Sequence, residues 1–122
     1  MRPLMFMLLL LATTACAFTG KGYETPTIPV EVYSSSWDAT RVRLYCTGEK
    51  YARLTIRDVS MARTIKDEVR LAACTWWEVV VEDLGGATHR SEVFSLSEGD
   101  CLQIEIGVQS AFLNIWTRRS CA

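Results

Sequence analysis

Histidine occurs once in the 122 residues, and there is no Cys-x-x-Cys pair, no Gly-x-Ser-x-Gly elbow and no glycine-rich phosphate cradle. Zinc and redox centres favour closely spaced cysteines, so nothing marks either one. The missing elbow and cradle remove the usual signatures of α/β-hydrolase and phosphate-loop chemistry. Charge of neither sign dominates: 13 Lys and Arg stand against 14 Asp and Glu. That balance gives no reason to expect nucleic acid. The first apolar run, Leu4 to Ala12, is nine residues long. A bilayer span needs ~20. Helical periodicity is scarce as well, and the apolar residues recur at every second position.

The short apolar run follows Arg2 and is trailed by small residues, Ala12 to Ala15. This is the layout of a secretory signal. Residues 1–17 are therefore expected to be a signal sequence and 18–27 (FTGKGYETPT) a polar tether. Two kinds of processing fit. Cleavage after Ala17 would use Ala15-Cys16-Ala17 as a small-x-small site and discard Cys16. Alternatively, Thr13-Thr14-Ala15-Cys16 resembles a bacterial lipobox, departing from it at Thr13, where the pattern prefers Leu. That resemblance implies a lipidated Cys16 and a membrane anchor. Two acyl chains hold a protein to a membrane stably where one does not.

Residues 28–122 are expected to form one domain of short strands. Ile28, Val30 and Val32 alternate with Pro29, Glu31 and Tyr33. Val42, Leu44 and Cys46 alternate with Arg41, Arg43 and Tyr45, and Leu54 and Ile56 with Arg53, Thr55 and Arg57. The four arginines are expected on a solvated outer face. Residues 61–71 could make a short helix, with Ile65, Val69 and Ala72 near one face; an edge strand or loop with Val69 and Leu71 inward is preferred. "TWWEVVVEDLGG", Thr75 to Gly86, is the strongest strand and closes on turn residues. Leu102, Ile104, Ile106 and Val108 alternate again, and Phe112 to Trp116 continue or return that strand.

The expected fold is an all-β, Greek-key-like antiparallel sandwich of about seven or eight strands, stabilised by disulfides. "IPVEVYSSSWD" and "SEVFSLSEGDCLQIEI" resemble small bacterial exported sandwich domains of fibronectin-III-like or transthyretin-like build. The resemblance implies a fold and no chemistry.

Both processing readings leave Cys46, Cys74, Cys101 and Cys121, an even set that an oxidising compartment can pair completely. If successive strands alternate in direction, all four fall at one end of the sandwich. Cys46 ends the second strand and Cys74 starts the fifth, and those strands are neighbours in many sandwiches. Cys101 and Cys121 would face each other if the last segment folds back around Ala111. The expected bridges are thus Cys46–Cys74 and Cys101–Cys121.

Catalytic candidates are few. His89 lies in "GGATHRSE" beside Ser91 and Glu92, but neighbours on a strand point to opposite faces, which defeats a triad. It is read as a surface-loop histidine. Glu78 and Glu82 share a face ~13 Å apart, wide for two carboxylates flanking one sugar bond. Glu82, Asp83 and Asp100 do not have the spacing of a calcium loop. No enzyme activity, metal or cofactor is expected.

Tryptophan occurs four times, and Trp76 and Trp77 are adjacent. Alternation puts Trp77 with Val79 and Val81 on the core face and Trp76 with Glu78 and Glu82 on the other. Trp76 is then exposed in part and able to stack on a sugar or partner, unless both faces of a central strand are covered. The expected function is a non-enzymatic module of the cell envelope, anchored, secreted or periplasmic. Trp76, His89 and Arg90 are the candidate contacts for an envelope protein or glycan. The alternative is a periplasmic inhibitor of a cell-wall hydrolase or protease. "LYCTGE" resembles a Tyr-x-Cys strand found in inhibitors of lysozyme-type enzymes, and the Gly85–Arg90 loop would be the inhibitory element.

Overall fold

A computed structural model describes residues 26–121. The signal, Cys16 and nearly all of the tether lie outside the described residues. Nine strands follow one another: β1 (Thr27–Ser34), β2 (Ala39–Cys46), β3 (Leu54–Arg57), β4 (Thr64–Arg70), β5 (Trp76–Asp83), β6 (Thr88–Arg90), β7 (Phe94–Ser95), β8 (Leu102–Gln109) and β9 (Phe112–Arg118). They form two sheets. The first has the order β4-β1-β8-β9; the second has the order β3-β2-β5-β6, with β7 also on β5. The chain changes sheet between β1 and β2, on both sides of β4, and between β7 and β8. This path gives the disulfide-bonded, Greek-key-like all-β sandwich that the alternation predicts.

Alternate side chains fill the space between the sheets, because successive residues of a strand point to opposite faces. Ile28, Val30 and Val32 of β1 and Leu102, Ile104 and Ile106 of β8 line one wall. Val42 and Leu44 of β2 and Trp77, Val79 and Val81 of β5 line the other. Ser34 is buried among them; its hydroxyl donates to the Ser36 carbonyl at 2.7 Å and accepts the Ser36 N–H at 3.1 Å. A buried polar group thereby keeps its hydrogen bonds.

Three features differ from the sequence reading, and one left between alternatives is settled. β1 and β8 run parallel, in register from Val30 opposite Leu102 to Ser34 opposite Ile106, whereas the other strand pairs are antiparallel. Residues 64–70 are an edge strand, as preferred, with Val69 and Leu71 buried. Their alternating charges suit an edge exposed to water and would spoil a helix with one apolar face. Residues 88–90, read as loop, form β6, because the tight turn Asp83–Gly86 returns the chain directly onto β5. Finally, Arg53 leaves the solvated face. It precedes β3, so alternation does not govern it, and its guanidinium lies 5.4 Å from the centroid of the Trp77 ring. There it also donates to Glu49 and to the Ala72 carbonyl.

The strand directions place all four cysteines at one end. Cys46–Cys74 joins Cα atoms 5.8 Å apart and Cys101–Cys121 joins Cα atoms 5.6 Å apart. Pro26 enters at this same end, where its carbonyl accepts the N–H of Leu71.

Candidate functional site

The end opposite the disulfides gathers the end of β1, the start of β2, the end of β3, the start of β4, the β5–β6 turn and the tip of the β8–β9 hairpin. Its side chains are unusual for a surface. Trp37 is 72% exposed and Phe112 73% exposed, and Met61, Leu84 and Val108 are also exposed. Scattered apolar residues are ordinary on a surface; several at one end of the sandwich make that end the candidate contact surface.

Backbone bonds tie these loops together. Ser34 bridges to Met61, and the Ala62 N–H donates to the Ser34 carbonyl at 2.7 Å. The Leu84 N–H donates to the Asp38 carbonyl at 2.9 Å, and the Ser35 N–H to the Ile106 carbonyl at 2.9 Å. The apolar side chains therefore project from a connected frame. The hairpin tip uses Ser110 and Ala111 at φ of 53° and 67°. Two-residue hairpins of this twist favour Asn-Gly, so two side chains sit here in the left-handed region at a cost.

Asp83 organises the β5–β6 turn. Its Oδ1 accepts the N–H groups of Gly85 and Ala87, each at 3.0 Å, and its Oδ2 lies 2.8 Å from His89 Nε2. The hydrogen bond from His89 holds the Asp83 carboxyl below its ordinary range; partial burial opposes this, and the Ala87 and Gly85 N–H groups add to it. Ser91 is not directed at this pair. Its hydroxyl accepts the Val79 N–H and donates to the Glu92 carbonyl. Asp100 is at the other end of the molecule, accepting the Ser97 N–H, so it joins no ion site with Asp83. Among the described residues, Glu31, Cys101 and Cys121 cluster at ligand distances, but both sulfurs are bound in a disulfide.

Of the three residues expected to form one contact site, Trp76 and Arg90 share a face and His89 does not. Trp76 is 54% exposed on the outer face of the second sheet, near the disulfide end. Arg90 is on that outer face too, paired with Glu78. His89 is half-buried on the other side of β6, engaged by Asp83 rather than free in a loop. Glu82 answers Arg41 at 3.5 Å and Arg43 at 3.8 Å, so this outer face is a lattice of exposed ion pairs, each of small energetic value. The sequence placed Phe112 and Trp116 on the last strand without marking them as exposed, and it left Trp37 unplaced. The available signal was position: Trp37 follows three serines after a strand, and Phe112 follows the hairpin turn.

No family model matches the chain, and no curated protein matches it. Among solved structures, the NMR structure of a protein from Eubacterium rectale is similar, with a TM-score of 0.57 at 14% identity. The match covers 82% of this chain and 94% of that one. At such identity the likeness concerns the fold.

Proposed function

We propose that the chain is a non-enzymatic binding module of the bacterial cell envelope, exported to an oxidising compartment and held by its N-terminal side, with Cys16 lipidated. The observation that carries this reading is the position of the exposed apolar group. Trp37, Leu84 and Phe112 project from the end opposite the entry of Pro26. A module tethered at one end presents the other to a partner. Two disulfides are compatible with export, where thiols are oxidised.

The test replaces Trp37 and Phe112 together by Ser in the full chain and measures retention on a column of envelope protein extract. Retention should fall at least tenfold while the melting temperature stays within a few degrees. Unchanged retention would overturn the reading. Intact mass and detergent partitioning check the anchor: a mature protein starting at Phe18 in the aqueous phase removes it.

The inhibitor reading draws on the Asp83 turn, which is fixed by three side-chain bonds. An inhibitor that blocks a polar active site would project a free charge from this turn. Here Leu84 is the exposed side chain and Arg90 is paired, so a target would have to offer an apolar pocket. Inhibition of a cell-wall hydrolase that is lost in Leu84→Asp would favour this second reading.

A further inference from the structure

The outer face of the first sheet carries a different arrangement. Side chains of β1, β8 and β9 that point away from the core stand in cross-strand rows. Tyr33, Glu105 and Trp116 are successive register partners in one row; Glu31, Gln103 and Arg118 are partners in the next. Strands are ~4.8 Å apart and residues two apart along a strand ~7 Å, so the six positions make a small, flat lattice.

Gly107 shapes it. A Cβ at this position would lie 2.9 Å from Trp116 Cζ3 and 3.4 Å from Cη2. The six-membered ring of Trp116 thus lies against the bare backbone of β8, which only glycine allows. Even so the residue is 46% exposed, with its open side toward water. Beside Trp116 a hollow of about 430 Å³ is lined with Gln103, Glu105, Thr117 and Arg118. A second hollow, of about 420 Å³, lies at the β9 edge of the sandwich rather than on this face, with Leu113 and Ile115 from the core side of β9 and Arg90 to Glu92 in its lining.

On the outer face the neighbours of this ring are an amide, a carboxylate, a guanidinium and the Tyr33 phenol, while the apolar Leu113 and Ile115 belong to the core side of β9. A protein hot spot surrounds its tryptophan with a dry, packed rim. A pyranose has the opposite needs: an apolar C–H face for the ring, and hydroxyls around its edge that require both donors and acceptors. Gln103 offers both, Glu105 accepts and Arg118 donates. The charges on the face are mixed, Glu31 and Glu105 against Lys66 and Arg118, so no net field selects an anionic ligand. The two rows of outward side chains, about 7 Å apart along the strands, extend beyond one sugar ring. A flat sheet suits an extended, β-linked chain better than a coiled, α-linked one.

We propose that this face binds a neutral β-linked oligosaccharide, with one pyranose stacked on Trp116 and its hydroxyls bonded by Gln103, Glu105 and Arg118. The site is distinct from the apolar end and goes beyond the reading given for it.

The test is an NMR titration of the full-length protein with cellohexaose, chitohexaose and maltohexaose. At least one of the two β-linked hexasaccharides should saturably shift the Trp116 indole N–H and the amides of β8 and β9, and bind at least tenfold more tightly than maltohexaose. Trp116→Ala should weaken that binding at least tenfold. Glu105→Ala, at an exposed position with no structural bond, should weaken it several-fold with the spectrum otherwise unchanged, which guards against a variant that fails to fold. The Trp37→Ser, Phe112→Ser double variant should bind the hexasaccharide like the parent, so that failure of the envelope reading is separate from failure of this one. Absence of saturable shifts with both β-linked hexasaccharides, preference for maltohexaose, or affinity indifferent to both Trp116→Ala and Glu105→Ala would each overturn the proposal.

Discussion

At one end of the sandwich, two disulfides flank a fully buried Trp77, and Arg53 covers its ring while gripping Glu49. At the other end there is no disulfide; loops bearing exposed aromatics are joined by backbone hydrogen bonds and the Asp83–His89 pair. Backbone strain is divided just as unevenly. Asp58, Ala62, Ser110 and Ala111 have positive φ at the open end, against Ala73 alone among non-glycine residues at the disulfide end. The covalent cross-links are concentrated where Pro26 enters, while the buried core runs the length of the sandwich. Strain and much of the exposed apolar area, both unfavourable to the isolated fold, are concentrated at the opposite end. Strained residues cluster at functional sites for this reason: the surrounding structure must over-determine them.

The sharpest way to break this contrast is truncation of an aromatic at each end. Trp77→Ala should cost ~3–5 kcal/mol by cavity formation in the core, whereas Phe112→Ala should stay within ~0.5 kcal/mol. Trp76→Ala, on the outer face, should cost less than ~1.5 kcal/mol. Urea denaturation of the three variants measures this, and comparable losses for Trp77 and Phe112 would erase the distinction. Trp77 has one compensating defect: its indole N–H lacks a hydrogen-bond partner. Trp77→Phe should therefore be milder than Trp77→Ala by more than ring size alone accounts for.

Next in size come the disulfides. Replacing Cys46 and Cys74 together by Ala opens a closed loop with a sequence separation of 28 and should cost ~3–4 kcal/mol. The Cys101–Cys121 pair spans 20 and should cost marginally less. Non-reduced peptide mapping verifies the pairing, and free thiols at all four positions would remove the contrast altogether.

At the open end the expected sign reverses. Ala111→Gly relieves a left-handed residue and should raise stability by up to ~1 kcal/mol, less the extra freedom of the unfolded glycine. A loss instead would show that the hairpin tip is packed rather than strained.

The smallest effect concerns acid. The Asp83 carboxyl is held below its ordinary range chiefly by the hydrogen bond from His89. A depressed folded-state value gives stability that is present above the unfolded value, ~3.9, and is lost as pH falls through the folded one. Asp83→Asn should therefore flatten the decline in melting temperature below about pH 4. Parallel acid limbs for the two proteins would show that the pair contributes nothing to the open end.

What was legible in the sequence follows from alternation. It placed Trp76 and Trp77 on opposite faces correctly, and strand direction then brought the four cysteines to one end. Where alternation stops, so did the reading. Arg53 lies outside its strand, so its turn toward Trp77 carried no periodic mark. Thr88, His89 and Arg90 are too few and too polar to read as a strand, and their pairing depends on the preceding turn. Alternation assigns faces but not partners, which hid the parallel pairing of β1 and β8. The seat of Trp116 had a faint signal: Gly107 occupies an outward position in β8, where glycine has no propensity advantage and a close neighbour is its usual reason.

That parallel pairing also orders the assembly in time. All strands of the second sheet lie between Ala39 and Ser95, and Cys46–Cys74 forms within that span. The first sheet cannot close so early. β1, near the N-terminal side, needs β8 as its inner neighbour, and Val30 meets Leu102 across most of the chain. Such distant contacts incur their loop-closure entropy before they are rewarded, and they slow folding. A chain emerging N-terminus first thus carries β1 with one edge unpaired until residue 102 and beyond are available. Arrival of β8, rather than of the first strands, then sets the moment at which the domain can become whole.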